Sequence, residues 1–328
     1  MLSEWEEIVA PAQMGARNVR LADSRHPLDF RIGRDHRARY VFQLDADCAA
    51  PCALELPRMA ALTCDLDQLG DGRARLSLVL GHAADFRNFS LMCTGLMLAT
   101  ENLAPGQSAQ GLVRTLDEVH HWQEMLRRRA EKKLSKPERI GLVGELLFLR
   151  DVLAERFDWK TAIKCWNGPG GDEQDFVVGS SIFEVKTQVV TADRRIHISS
   201  EDQLDPVQGR ILICNQGIAP LPAGDPAGRT LNSLVSELRQ ATGAAGSGSA
   251  ELLDIALLEA RYEERPEYEE EIWVLVDRTY YEVRDDFPRI ERGELRAGVD
   301  QVKYKIRVSD CVPYTVDVDE AFGGMDNE

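Results

Sequence analysis

The chain has 328 residues, 44% apolar and 29% charged, enough for one large core or two domains, and more than one unit is expected. No apolar run approaches the roughly 20 residues of a membrane span, so no membrane partner is expected, and the acidic start Met1-Leu2-Ser3-Glu4-Trp5-Glu6-Glu7 lacks the form of a secretory signal. The net charge of −16 excludes a protein that coats nucleic acid without specificity. Seven scattered cysteines with no Cys-x-x-Cys pair indicate neither a zinc site nor a disulfide framework and fit a reducing cytoplasm.

Residues 1–12 read as a short amphipathic helix ending at Pro11. From Val19 to Leu80, short apolar segments (Tyr40-Val41-Phe42-Gln43-Leu44, Leu54-Glu55-Leu56-Pro57, Ala74 to Leu80) alternate with turn residues, the pattern of an antiparallel β-domain. Phe86 to Thr100 reads as a helix. Residues 108–134 form a longer one, because Leu112, Leu116, Val119, Trp122, Met125 and Leu126 recur at helical spacing. That stripe is a core face rather than a cofactor box. The charges are segregated. Arg17 to Arg39 and Arg127 to Lys136 are basic, either solvated or able to meet phosphate, whereas seven of the thirteen residues from Glu259 to Glu271 are glutamate.

Ser135-Lys136-Pro137-Glu138 is a capping box with proline in the first turn. The helix it opens runs to about Ala154 and is apolar on every side from Arg139 to Arg150, except at Glu145. A buried carboxylate needs a partner: an arginine such as Arg139, another donor, or a metal. After the loop Gly168-Pro169-Gly170-Gly171, with Asp172 and Glu173, comes Asp175-Phe176-Val177-Val178-Gly179-Ser180-Ser181-Ile182-Phe183-Glu184-Val185-Lys186-Thr187. It reads as a hairpin about a II′ turn at Gly179-Ser180. That register opposes Asp175 to Glu184 and puts Lys186 on their face; a three-residue turn would separate the two acids. Opposed carboxylates repel unless a cation lies between them, and carboxylate oxygens suit Mg²⁺. The lysine could hold or deprotonate a water, or offset charge on a phosphate.

Arg194 to Ser200 reads as a third strand, Ser200-Glu201-Asp202-Gln203 as the start of a short helix, and Arg210-Ile211-Leu212-Ile213-Cys214 as a fourth strand. Thr230 to Ala241 and Ala250 to Arg261 are helices about a flexible Gly243–Ser249 connector. Ile272–Val276, Tyr280–Val283 and Val302–Val308 return to strands, and the tail from Gly323 is expected to fray.

On this order of elements, Glu145, Asp175 and Glu184-Val185-Lys186 resemble the PD-(D/E)XK nuclease superfamily. Closer still is the resemblance to the uncharacterised bacterial PD-(D/E)XK family member proteins, carried by Gly141-Leu142-Val143-Gly144-Glu145-Leu146-Leu147, Asp175-Phe176, Glu184-Val185-Lys186-Thr187, His197-Ile198-Ser199-Ser200 and Gln203-Leu204. The resemblance implies an α/β, α+β overall, restriction-endonuclease-like αβββαβ core at 135–262. Around it stand an N-terminal antiparallel β-domain (1–107), a linking helix (108–134) and a C-terminal β-rich extension (263–328). It implies catalytic roles for Glu145, Asp175, Glu184 and Lys186, with Mg²⁺ (Mn²⁺ substituting) on Asp175, Glu184 and Glu145. Gln174 stands where the motif has proline. His197, Ser199, Ser200 and Gln203 either reach phosphate or serve as strand and cap residues. The expected activity is endonucleolytic cleavage of nucleic acid, DNA before RNA, in a restriction or phage-defence setting with protein partners, a homodimer being one possible assembly. The rival is a catalytically silent binding or scaffold subunit that docks through Glu259–Glu271.

Overall fold

A computed structural model describes residues 5–50, 56–59, 61–129, 133–170, 174–191, 194–204, 209–246 and 248–323. The chain divides into two compact units, Met1–Lys132 and Lys133–Glu328, and is a mixed α+β protein.

In the first unit, strands β1 (Arg17–Leu21), β2 (Asp29–Asp35), β3 (Tyr40–Ala46), β4 (Leu62–Gln68) and β5 (Ala74–Leu80) form one sheet in the order β1-β2-β3-β5-β4. Every pair is antiparallel. Helices α1 (Phe86–Leu98) and α2 (Ser108–Arg129) follow. Leu112, Leu116, Val119, Trp122 and Met125 of α2 are all buried, as a core-facing stripe should be. The helix expected over residues 1–12 is helical only at Trp5 and Glu6 among the described residues. β-Branched Ile8 and Val9, followed by Pro11, disfavour its continuation. Leu54 and Glu55 lie outside the described residues.

The second unit opens with α3 (Lys136–Phe148), whose capping box is formed by Ser135 and Glu138, and which continues as a π-helical turn over Leu149–Leu153. Next come α4 (Trp159–Lys164), β6 (Phe176–Val178), β7 (Ser181–Val189), β8 (Arg195–Ile198) and β9 (Arg210–Leu221). Helices α5 (Leu231–Ala245) and α6 (Ser249–Glu259) lead to β10 (Ile272–Glu282), β11 (Tyr304–Arg307), α7 (Val308–Cys311), β12 (Thr315–Val316) and α8 (Val318–Phe322). The main sheet runs β12-β10-β9-β7-β6, with β7 and β9 parallel.

Side chains alternate across β7. Phe183 and Val185 join Leu142, Leu146, Phe148, Leu234 and Leu238 in the cluster under the helices. Ile182 joins Ile196, Ile198, Leu204, Ile211, Ile213 and Ile306 on the opposite face. At about 1.5–3 kcal/mol for each fully buried large apolar side chain, both faces are stabilised by burial, and the sheet is a middle layer.

Four expectations change. β8 does not enter the main sheet; it pairs with β11, and its inward Ile196 and Ile198 cover the sheet's second face. The link from β8 to β9 holds only a short 3₁₀ turn, Glu201–Leu204, among the described residues. The strand at Ile272–Glu282, assigned above to an extension, lies inside the main sheet as one element with a bulge between Leu275 and Asp277. Helix α5 also runs through Gly243 to Ala245, shortening the expected connector. Residues 324–328, expected to fray, lie outside the described residues. Among the described residues no helix is long and apolar enough to cross a membrane.

Candidate active site

The hairpin pairs Phe176 with Phe183, Val177 with Ile182 and Val178 with Ser181. Gly179 has φ 58°, as the first central position of a II′ turn requires. One residue before β6, Asp175 stands opposite Glu184 in this register. There the carboxylate substitutes for strand: Val185 donates its main-chain N–H to Asp175 Oδ2 at 2.7 Å. The main-chain carbonyl of Asp175 is fixed in turn by the N–H groups of Asn167 and Gly168, at 2.9 and 3.0 Å.

Glu184 and Lys186 share the face that carries Ile182. Glu184 is 1% exposed, and Lys186 Nζ lies 2.5 Å from its Oε1. Gln203 completes the arrangement. Its Nε2 donates to Glu184 Oε1 at 2.9 Å, its Oε1 accepts from Lys186 Nζ at 3.4 Å, and the Ser199 main-chain N–H donates to the same oxygen at 2.9 Å. Glu184 Oε2 is buried with no hydrogen-bond partner among the described residues.

Glu145 reaches the cluster from the helix side. The alternative of an ion pair to Arg139 is not realised, since Arg139 binds Glu271 at 2.8 Å. Instead the Trp166 indole N–H donates to Glu145 Oε2 at 2.7 Å. Helix α3 lies close on β7 because residue 144 is glycine; a Cβ there would fall inside the Thr187 side chain. Gln216 clamps the same turn, donating to the Gly144 carbonyl at 2.9 Å while accepting from Arg278 at 2.9 Å. We expect Gly144→Ala to cost about 1–3 kcal/mol, the range for overpacking, and to move Glu145 off the cluster. Urea denaturation beside an activity assay checks both, and unchanged stability would refute the close approach.

Burial dominates the electrostatics. It pushes Glu145 up to about 8, with help from the Asp175 charge and against the Trp166 hydrogen bond. Glu184 is likewise pushed up to about 8 by burial and by Asp175, opposed by Lys186. Asp175 is raised by burial against Lys186 and the Val185 N–H. For Lys186, burial pulls downward, but the attraction of Glu184 and Asp175 outweighs it and holds the group as an ammonium ion.

A family model described as "Putative PD-(D/E)XK family member, (DUF4420)" matches residues 1–309. The chain belongs to this PD-(D/E)XK family. No curated protein and no solved structure matches it. Because the match spans both units, the β-domain is as much part of this PD-(D/E)XK family as the hairpin is.

Whether this cluster suits a divalent ion turns on its donors. All are carboxylate oxygens, the ligands of hard cations, and Glu184 Oε2 is a bare buried acceptor. A Cβ placed on Gly168 would lie 3.1 Å from Asp175 Oδ1 and 3.3 Å from Glu145 Oε2, so these two acids border one small gap. Among the described residues, however, no three His, Cys, Asp or Glu side chains stand together closely enough to hold an ion. Mg²⁺ asks for less, since one or two carboxylates plus water and phosphate complete its shell. The donor chemistry therefore fits a hard cation that would be held by Asp175 and Glu184, with Glu145 at the margin.

Of the four residues past the motif, Gln203 joins the cluster directly, through Glu184 and Lys186. Ser199 does so through its main-chain N–H. Ser200 Oγ accepts from the Asp202 N–H at 3.2 Å, a capping role. His197 is exposed on β8 opposite Lys305; burial, Lys305 and then Lys186 depress its pKa. Asp172 and Glu173 lie outside the described residues. The sequence reading missed Trp166 and Gln216, whose indole and amide groups carry no motif spacing, although a tryptophan two residues before the Gly168 loop was a visible signal.

Proposed function

We propose that the chain is a Mg²⁺-dependent endonuclease hydrolysing phosphodiester bonds, with Mn²⁺ able to substitute and DNA as substrate. The observation that carries this reading is the convergence of Asp175, Glu184 and Lys186 from one hairpin, with Glu145 brought beside them by α3. The helix α3 with β6, β7, β9 and β10 is then a restriction-endonuclease-like core in which β8 has left the sheet to cover one face. A restriction or phage-defence setting follows from the family likeness alone.

Bound Mg²⁺ would supply Lewis acidity at a phosphoryl oxygen and a more acidic water. Asp175 and Glu184 would hold it. Lys186, kept as an ammonium by Glu184, offers N–H donors to the incoming water or to a non-bridging oxygen as charge builds there. Gln203 holds Glu184 and Lys186 in register. Glu145, tied by Trp166, faces the gap at Gly168, where it can accept a proton from water.

Purified protein incubated with plasmid and with RNA, in Mg²⁺, Mn²⁺ or EDTA, tests the reading: cleavage is expected with either ion and none in EDTA. The rival, a silent binding subunit, draws on one observation, that Lys186 occupies Glu184 Oε1. Metal binding by calorimetry with no cleavage of any substrate would favour it.

A further inference from the structure

One stride along β7 from Lys186, on the same face, lies a group of polar side chains that the proposed chemistry does not use. Lys186 is the register partner of Asn215 in the parallel β7–β9 pair, so the two side chains stand side by side. Asn215 is 1% exposed. Its amide has only one orientation consistent with its neighbours. The main-chain N–H of Arg195 donates to Gln188 Oε1 at 3.2 Å, so that oxygen accepts. Gln188 Nε2 then donates to Asn215 Oδ1 at 2.8 Å. A main-chain N–H cannot reverse its role, and the polarity is handed down both amides in turn. Asn215 Nδ2 is left over, and it is buried without an acceptor among the described residues. One stride along β9, against Gly217, Arg194 spends Nη1 on both oxygens of Asp277 at 2.8 Å, while its Nε and Nη2 are buried without acceptors among the described residues.

Buried donors without acceptors give up their hydrogen bonds to water and gain none in return. Here a fixed amide N–H₂ stands in register beside the lysine, and a guanidinium Nη2 lies one stride further along β9, against Gly217. The missing complement is an acceptor carrying several oxygens and negative charge. We infer that Asn215, supported by Arg194, binds a phosphate oxygen of the substrate strand, at the linkage next to the one cleaved. The inference rests on the nuclease reading for its biological meaning, although its chemistry is that of a phosphate subsite. Gln188 is a positioning residue whose task is to aim Nδ2.

The test reads Asn215 itself. In protein labelled with ¹⁵N-asparagine, the side-chain amide signal of Asn215 is assigned by its disappearance in Asn215→Leu. Metal-free protein is then titrated with 5′-phosphorylated dithymidylate, and separately with unphosphorylated dithymidine methylphosphonate. The phosphate-bearing probe should shift that signal saturably and the methylphosphonate should not. Asn215→Leu and Asn215→Asp should each weaken binding of the first probe by at least about tenfold, as loss of one hydrogen bond to a charged acceptor implies. Asn215→Asp keeps the side-chain size and the acceptor for Gln188 while replacing the donor with a charged oxygen, so a folded Asn215→Asp that loses the phosphate probe separates loss of the subsite from misfolding. A signal unmoved by the phosphate probe, or equal movement by both probes, overturns the inference, as does wild-type affinity in both variants. Cleavage assays on the wild type decide the nuclease reading separately. A shift without cleavage keeps the subsite and removes the nuclease, and cleavage without a shift does the reverse.

Discussion

Lys186→Met should lower Mg²⁺-dependent cleavage by about 10²–10⁴-fold, the usual contribution of a positioned proton-transfer or charge-stabilising side chain, and leave the protein folded. The second half of this expectation is the less obvious one. Removing one partner of a buried ion pair ordinarily costs several kcal/mol because the other charge is stranded. Glu184, however, is already pushed up to about 8, and without the ammonium it takes up a proton instead of standing as a naked charge. Gln203 Nε2 still donates to its Oε1. Single-turnover plasmid cleavage alongside circular dichroism separates the two effects. Undiminished cleavage would end the role given to the lysine, and an unfolded variant would show that Glu184 cannot neutralise.

The second large effect concerns stability. Glu145 and Glu184 have native values near 8 against an ordinary 4.5. Between those limits the native state binds more protons than the unfolded chain, so stability falls as pH rises through the window. The stabilisation is full below about 4.5 and gone above about 8. Lys186 is raised from 10.5, so its contribution is lost only at more alkaline pH. Metal-free protein should therefore melt lower at pH 8.5 than at pH 6, and Glu184→Gln should flatten that slope. Divalent ion acts in the opposite sense, because it binds the ionised carboxylates and competes with protons. At a hundredfold excess over Kd it should add about 2.7 kcal/mol, and more visibly at pH 8.5 than at pH 6. Melting curves in EDTA and in Mn²⁺ across this range provide the check; a flat profile with no response to the ion would remove the carboxylate cluster as a cation site.

The hairpin was legible because its information is local. A glycine able to take positive φ, flanked by β-branched and aromatic residues, favours the two-residue turn over a three-residue one, and the register of the former opposes Asp175 to Glu184 and aligns Lys186. Glu145 stood out because a carboxylate in a helix apolar all round needs a partner. The partner itself was not legible: Trp166 comes from a different element, 21 residues on. The basic and acidic runs were read as exposed patches, yet the fold sets many of them against acids or bases from elsewhere. Arg31 meets Asp45 on the neighbouring strand. Lys133, Lys136 and Arg139 meet Glu267 and Glu271. Surfaces inferred from charge runs were therefore overstated, and the Glu259–Glu271 docking face loses much of its free charge.

By itself, then, the sequence determined what backbone propensity and alternation determine: most of the elements, the turn, and which four ionisable residues stand out from their surroundings. Tertiary structure decided where β8 goes, because a four-residue strand has too few main-chain hydrogen bonds to choose its neighbour and follows the burial of Ile196 and Ile198. It also decided which donors are left without acceptors around Lys186, since that depends on Gln188, Arg194, Gln203 and Asn215 meeting across separate strands and turns. Pairing over such distances is set by packing, and no spacing along the chain records it.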